Sequence, residues 1–425
     1  MRILWITSRL LPDACRAIGC EGEVVGGWMQ SQMNALLNVY GEKNEYFILA
    51  SDARKCDVKV GNVHHRSFGR GGVTYGAAVP VDVEAEAKAA IMGFNPDIIH
   101  IHGTEFFYGR MSKSVYCGKP TVVSLQGILQ GCHTQVGGSL SPEEIFVDQF
   151  NLRRILYGQS IFRNQSKWRK KRVPQEELIF KTHMHFMGRT EWDRAWANTL
   201  NPSAKYYHVN ETLRREFYNL RRDRARIRQH SIYCSAAAGY PLKGVHFLLR
   251  AIAFLVNKYP DISLRICAAE RLTEKRTLKA TLKADQYTSY LRRLIRELGI
   301  GRHVVGLPRL SAGEVADELS RAETFVLPSL CENSPNSLGE AQLVGTPAIA
   351  TFVGGIPSVL CDGVDGRLVP CSDPAVLAAM IDYYFSNPSV AEGYAENARI
   401  SALVRHDPFR NAKATIRAYE ETIAG

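Results

Sequence analysis

Glu332 and Glu340 flank a short polar stretch of the segment PSLCENSPNSLGEAQLVGTP, residues 328–347. A carboxylate offers two acceptor oxygens and suits the hydroxyls of a sugar or a ribose. Eight residues along one continuous helix would part the two carboxylates by about 12 Å, beyond the ~5–5.5 Å of a retaining glycosidase pair. The spacing therefore fits two contacts on one long ligand better than paired acid–base chemistry. The same two residues also read as a loop charge and a solvated helix residue.

The elements around them decide where they stand. Thr324–Leu327 is a short apolar run with the β-branched and aromatic content of a strand, closed by Pro328. A helix is predicted next, with Ser334 as its N-cap, Pro335 in its first position, and Gly345 and Pro347 as stops. Ala348–Thr351 reads as the following strand. Glu332 then occupies the loop at the carboxyl end of a parallel strand, the edge where such sheets bind ligands. The N–H groups of residues 335 to 338 and the helix dipole suit a phosphate there.

Other strand ends carry chemistry too. Ser231–Ser235 reads as a strand, and Lys243-Gly244 precedes a helix running through Val245, Leu248, Leu249, Ile252 and Leu255. A lysine at a helix start is a poor match for the dipole and needs a reason. Ile98–His102 is a strand that places His100 and His102 on one face, His102 nearer the carboxyl edge. Its imidazole suits a donor hydroxyl or developing charge, or a bond to backbone. Glu105 and the Gln126-Gly127 turn after the strand Thr121–Leu125 fit the walls of a ligand cleft at the same edge. Gly26-Gly27 opens a helix in which Met29, Met33, Leu36, Leu37 and Tyr40 recur at helical spacing, and permits close approach of a ligand or simply a tight turn.

The segment from Glu332 to Glu340 resembles the Glu, seven residues, Glu motif of glycosyltransferase family 4, and the similarity extends through Gly354-Gly355-Ile356-Pro357 and Asp362-Gly363-Val364-Asp365-Gly366. That family comprises retaining enzymes of GT-B fold. The resemblance implies an α/β chain with two Rossmann-like doubly wound domains facing across a cleft. It implies that Glu332 contacts the donor sugar near the reacting centre and Glu340 the nucleotide ribose, with Asn333, Ser334, Asn336, Ser337 and Leu338 on the donor between them. Lys243 would bind the donor diphosphate, His102 would stand at the reacting sugar, Gly26 and Gly27 would face the phosphates, and Leu307 and Arg309 would lie near the base. Many members carry an arginine five residues before the lysine, and here that position is Ala238. Residues 187–193, MGRTEWD, resemble the end of the first domain in one subgroup, where Arg189 reaches an anionic ligand or pairs with Glu191 or Asp193.

Length and charge agree with a two-domain chain. At 425 residues it exceeds the ~250–300 at which single cores stop growing. The expected division is 1–225, 226–407 and a final helix, 408–425, returning to the first domain. Ser311-Ala312-Gly313-Glu314 is a capping-box pattern within the second part. The ten cysteines are scattered without zinc spacing, which predicts free thiols and no metal site; the resemblance to family 4 implies no cofactor beyond a nucleotide diphosphate sugar as co-substrate. No run reaches the ~18 apolar residues of a spanning helix, so a cytoplasmic protein is expected, or one at the inner face of the cell membrane. Residues 151–230 hold 19 Lys and Arg against 7 Asp and Glu, a balance of +12 within a net charge of +11. Arg163, Lys167, Arg169, Lys170, Lys171 and Arg172 cluster about Trp168. This fits peripheral membrane association, a phosphorylated acceptor or a solvated helix face, and lacks any nucleic-acid motif beyond its charge.

The expected activity is retaining transfer of a hexose-type residue from a nucleotide diphosphate sugar to an acceptor hydroxyl, on a carbohydrate or lipid-linked acceptor in polysaccharide or glycoconjugate biosynthesis. The alternatives are a nucleotide-sugar 2-epimerase of related fold and a catalytically silent sugar-nucleotide-binding subunit.

Overall fold

A computed structural model describes residues 1–20, 27–69, 79–146, 161–235, 239–274 and 285–425. Gly26 and Ala238 lie outside these residues. The chain forms two compact units: Met1–Gln130 with Arg169–Arg214 and Arg405–Gly425, and Gly131–Trp168 with Arg215–Val404.

The first unit is built on an eight-stranded sheet of order β3-β4-β2-β1-β5-β6-β7-β8. Its strands are β1 (Arg2–Thr7), β2 (Glu45–Ala50), β3 (Asp57–Val60), β4 (Val63–Ser67), β5 (Ile98–His102), β6 (Thr121–Ser124), β7 (His185–Gly188) and β8 (Lys205–His208). All neighbours are parallel except β3 and β4. β1 and β5 are apolar because helices cover both of their faces. The helix Pro408–Ala424 packs with Gly27–Tyr40 on one face, burying Ala412, Ile416 and Tyr419 against Ile3, Trp5 and Met33.

The second unit carries a six-stranded sheet of order β11-β10-β9-β12-β13-β14, all parallel. The strands are β9 (Ser231–Cys234), β10 (Ser263–Ile266), β11 (Val304–Gly306), β12 (Thr324–Leu327), β13 (Ala348–Thr351) and β14 (Arg367–Val369). Sequence order reverses between β1 and β5 in the first sheet and between β9 and β12 in the second, giving each a topological switch point.

The expected first domain of 1–225 differs from this division, because the chain enters the second unit at Gly131 and leaves it at Trp168. Side-chain chemistry explains the excursion. His246 bonds the Gly138 carbonyl at 2.9 Å, the Ile161 N–H donates to Gln286 at 2.9 Å, and Glu144 accepts from the Tyr290 hydroxyl at 2.7 Å and pairs with Arg250. Ile161 joins the core that includes Val245, Leu248 and Tyr287. Residues 215–228 also belong to the second unit. Their arginines are matched to acids there, Arg222 to Glu392, Arg226 to Asp317 and Arg228 to Glu318. The excess charge at 221–228 is thus locally paired, whereas Arg163, Lys167, Arg169, Lys170 and Lys171 are exposed on the helix Ile161–Lys167 and the π-helical turn Trp168–Arg172 that follows it.

Candidate functional site

In the second unit the site grows from the loops after β9 and β12, the two strands of the switch point. Lys243 ends a short 3₁₀ turn, Pro241–Lys243, and Gly244 caps the helix Val245–Leu255 with φ of 68°. A Cβ on Gly244 would fall 1.9 Å from the Pro328 carbonyl oxygen. Only glycine lets these two loops meet. The Leu330 N–H then donates to the Leu242 carbonyl at 2.8 Å, and the Lys243 ammonium reaches Glu332 Oε1 at 2.5 Å. Ser329 Oγ donates to the same oxygen at 2.8 Å. Burial pulls the Lys243 pKa down, but the Glu332 carboxylate outweighs it and the net shift is upward, so the ammonium stays charged. From the other side Gly354, at φ of 52°, holds the loop, since its Cβ would lie 2.0 Å from the Glu332 carbonyl oxygen. The Gly355 N–H donates to that oxygen at 3.0 Å.

The helix after Glu332 spans Asn336–Val344, with Pro335 as N-cap and Gly345, at φ of 86°, as C-cap. It therefore starts later than the expected Ser334 cap and Pro335 first position, and no side chain caps it. Pro335 has no N–H, and the Leu338 N–H already donates to the Pro335 carbonyl at 3.0 Å. The donors expected over 335 to 338 reduce to Asn336 and Ser337. The Leu338 side chain is fully buried in the core, and its N–H is the one taken by Pro335. Glu340 is buried in the helix's second turn, while Asn333 is buried and Ser334 half-buried in the loop. Leu307 and Arg309 follow β11, two strands from β9, with Arg309 exposed.

The first unit presents a different set at the carboxyl ends of β1, β5 and β6. His100 and His102 stack with centroids 3.9 Å apart. His100 bonds the Tyr419 hydroxyl at 2.7 Å and Ser124 Oγ at 2.5 Å. Trp5 Nε1–H also donates to Tyr419, at 3.0 Å. His102, 1% exposed, has no hydrogen-bond partner for either ring nitrogen among the described residues. It sits against Trp5 and Trp28, with centroids at 4.4 and 5.9 Å. Burial first, then His100 and Arg189, hold its pKa well below the ordinary 6.5, so the ring is neutral at neutral pH. Of the two histidines on this face, His100 is structural and His102 is the one left available.

Glu105 lies in a space left by two glycines. A Cβ on Gly103 or Gly127 would come 2.6 or 2.9 Å from its carboxylate oxygens. The Gly127 N–H donates to Oε1 at 2.8 Å, while Oε2 is buried without a partner among the described residues. Burial raises its pKa against the opposing pull of Gly127, Arg189 and Arg172. Gln126 is half-buried in the same turn. Arg189 pairs with Glu211 rather than Glu191 or Asp193, and Asp193 instead accepts the Arg189 backbone N–H at 3.0 Å and closes a capping box with Thr190. Its guanidinium lies 6.0 Å from the Trp28 ring centroid. Gly27 opens the helix Gly27–Tyr40 beside Arg214, whose Cδ would stand 2.9 Å from an added Cβ.

Glu176 carried no sequence signal, being one of two adjacent acids in the helix Val173–Thr182. It is fully buried and accepts from Thr104 Oγ1 at 2.7 Å and from the N–H groups of Leu129 and Gln130 at 3.0 and 2.8 Å. It thereby ties Thr104, next to Glu105, to the backbone just beyond Gly127. Among the described residues no cluster of three or more His, Cys, Asp or Glu has the arrangement of a metal site, and no helix is long and apolar enough to cross a membrane.

This arrangement has counterparts. Residues 219–401 match the family model described as glycosyl transferases group 1. The D-inositol 3-phosphate glycosyltransferase of Streptomyces coelicolor is 33% identical over 150 residues, 35% of this chain and 32% of that protein. The MMP alpha-(1->4)-mannosyltransferase of Mycolicibacterium hassiacum is 33% identical over 197 residues, 46% of this chain and 44% of its own length. The matches thus span less than half of these relatives. The fold aligns with sucrose-phosphate synthase from Thermosynechococcus elongatus at a TM-score of 0.72 and 13% identity over the whole of both chains. Two Rossmann-like sheets, parallel except for the β3–β4 pair, together with this match make the fold GT-B, and residues 219–401 are similar to the group 1 glycosyltransferases, in line with the resemblance to family 4.

Proposed function

We propose that the protein transfers a hexose-type sugar from a nucleotide diphosphate sugar to an acceptor hydroxyl with retention at the anomeric carbon. The observation that carries this reading is the Lys243–Glu332 contact at the switch point, one turn from the helix Asn336–Val344 that holds Glu340. The diphosphate takes the Lys243 ammonium and the Asn336 and Ser337 N–H groups, whose positive field supports the departing phosphates. Glu332, released from Lys243, orients the sugar, and Glu340 holds the ribose. His102 enters as a neutral hydrogen-bonding ring and Glu105 as an acceptor-side carboxyl, with the acceptor on the first unit. Lys243 is the one cation assigned to the diphosphate, since Ala238 stands where many members carry arginine.

A lipid-linked acceptor is the second element of the proposal, favoured by the exposed Lys167, Arg169, Lys170 and Lys171 about Trp168. The protein would then work at a membrane surface. Thermal-shift screening of nucleotide diphosphate sugars, followed by product analysis with an acceptor panel, tests the function, because a ligand of the folded state raises its apparent stability. Glycosylated product is expected. Donor isomerised or hydrolysed with no acceptor product would select the 2-epimerase reading, and binding without any turnover the silent-subunit reading.

A further inference from the structure

Two cysteines far apart in sequence meet beside Lys243 and Glu332. Cys331 immediately precedes Glu332, and Cys132 lies just after Gly131, where the chain enters the second unit. Their Sγ atoms are 2.6 Å apart, and Cys331 Sγ also approaches the Gly131 carbonyl at 3.7 Å. Both residues are buried. The backbone on the Cys331 side is held on either flank, by the Leu330 N–H on the Leu242 carbonyl and the Gly355 N–H on that of Glu332. The two sulfurs are thus already in contact on a backbone fixed at the Cys331 side, the proximity a disulfide requires. The Lys243 ammonium lies near both sulfurs.

We propose that Cys132 and Cys331 are a redox-active thiol pair that closes to a disulfide under peroxide, stapling the 131–168 excursion to the loop that presents Glu332. One sulfur attacks a peroxide oxygen, the O–O bond breaks, and a sulfenic acid and one water form. The second sulfur then displaces that oxygen as a second water. Two thiols and one hydrogen peroxide thus give one disulfide and two waters, each sulfur being oxidised by one electron and the peroxide reduced by two. The closed loop spans nearly half the chain and constrains the unfolded state accordingly. The proposal is independent of which sugar or acceptor the site uses.

The full-length protein is treated with hydrogen peroxide, denatured, alkylated, digested and examined by mass spectrometry, with the exposed Cys117, Cys361 and Cys371 as internal controls. A peptide linking Cys132 to Cys331, absent after dithiothreitol, is expected, together with a melting temperature about 5 °C or more above that of the reduced protein. Cys132→Ser and Cys331→Ser should each remove both effects. Exposed cysteines oxidised while Cys132 and Cys331 stay fully alkylatable, or Cys132 and Cys331 each linked elsewhere, would overturn the proposal. That result is readable on the wild type alone, whether or not the serine variants fold.

Discussion

His102 stacks on His100 at 3.9 Å between ring centroids, yet His100 has a hydrogen bond at each nitrogen and His102 has none among the described residues. Replacing His100 with Leu leaves the hydroxyls of Tyr419 and Ser124 without this partner and should cost about 2–3 kcal/mol of stability. Replacing His102 with Gln should change stability by less than about 1 kcal/mol while lowering kcat/KM roughly 10–100-fold. Urea unfolding and steady-state kinetics on the two variants check the contrast; a stable, fully active His102 variant would leave the ring without a role.

Glu176 gives a pH signature. Burial raises its carboxyl from 4.5 to about 7, although Thr104 and two backbone N–H groups favour its ionised form. Because the folded value is the higher one, its contribution to stability is fully present below pH 4.5 and is lost as the pH rises through 7. Wild type should therefore lose on the order of 3 kcal/mol relative to Glu176→Gln across that window. Parallel stability curves for the two proteins would show that the carboxyl titrates normally.

How much of this was readable in advance follows the physics of each element. β5, β12 and β13 coincide with the residue runs that predict them, because strands buried on both faces are written as short continuous apolar runs. The Ser311 capping box appears as its spacing predicts. Lys243 and Glu332 were legible as separate strand ends, but their meeting depends on Gly244 admitting the Pro328 carbonyl, a tertiary fact that spacing does not encode. Glu176, Tyr419 and the Cys132–Cys331 contact were hidden for the same reason, each joining residues at least 46 apart. The 131–168 excursion was missed because its partners, His246, Gln286 and Tyr290, are ordinary helix or near-helix residues in sequence.

Transfer activity should persist in EDTA, since the proposed chemistry assigns the diphosphate to Lys243 and helix N–H groups. Loss of activity on chelation, restored by Mg²⁺ or Mn²⁺, would refute that assignment.

If the exposed cations at 167–171 meet an anionic surface, each should contribute about 1 kcal/mol at low salt. Binding to phosphatidylserine vesicles should then weaken steeply with ionic strength, and reversing Lys167, Arg169, Lys170 and Lys171 should impair use of a lipid-linked acceptor without changing donor affinity. Absent or salt-insensitive vesicle binding would return the segment to a solvated face.

The most direct test is the kinetic split between the two glutamates with the donor found by screening. Glu340→Ala should raise the donor KM about 10–100-fold with little change in kcat, because ribose contacts alter little during reaction. Glu332→Gln should lower kcat about 100-fold or more with a smaller effect on KM. An unchanged KM with collapsed kcat in Glu340→Ala, or a Glu332→Gln enzyme as active as wild type, would contradict the account.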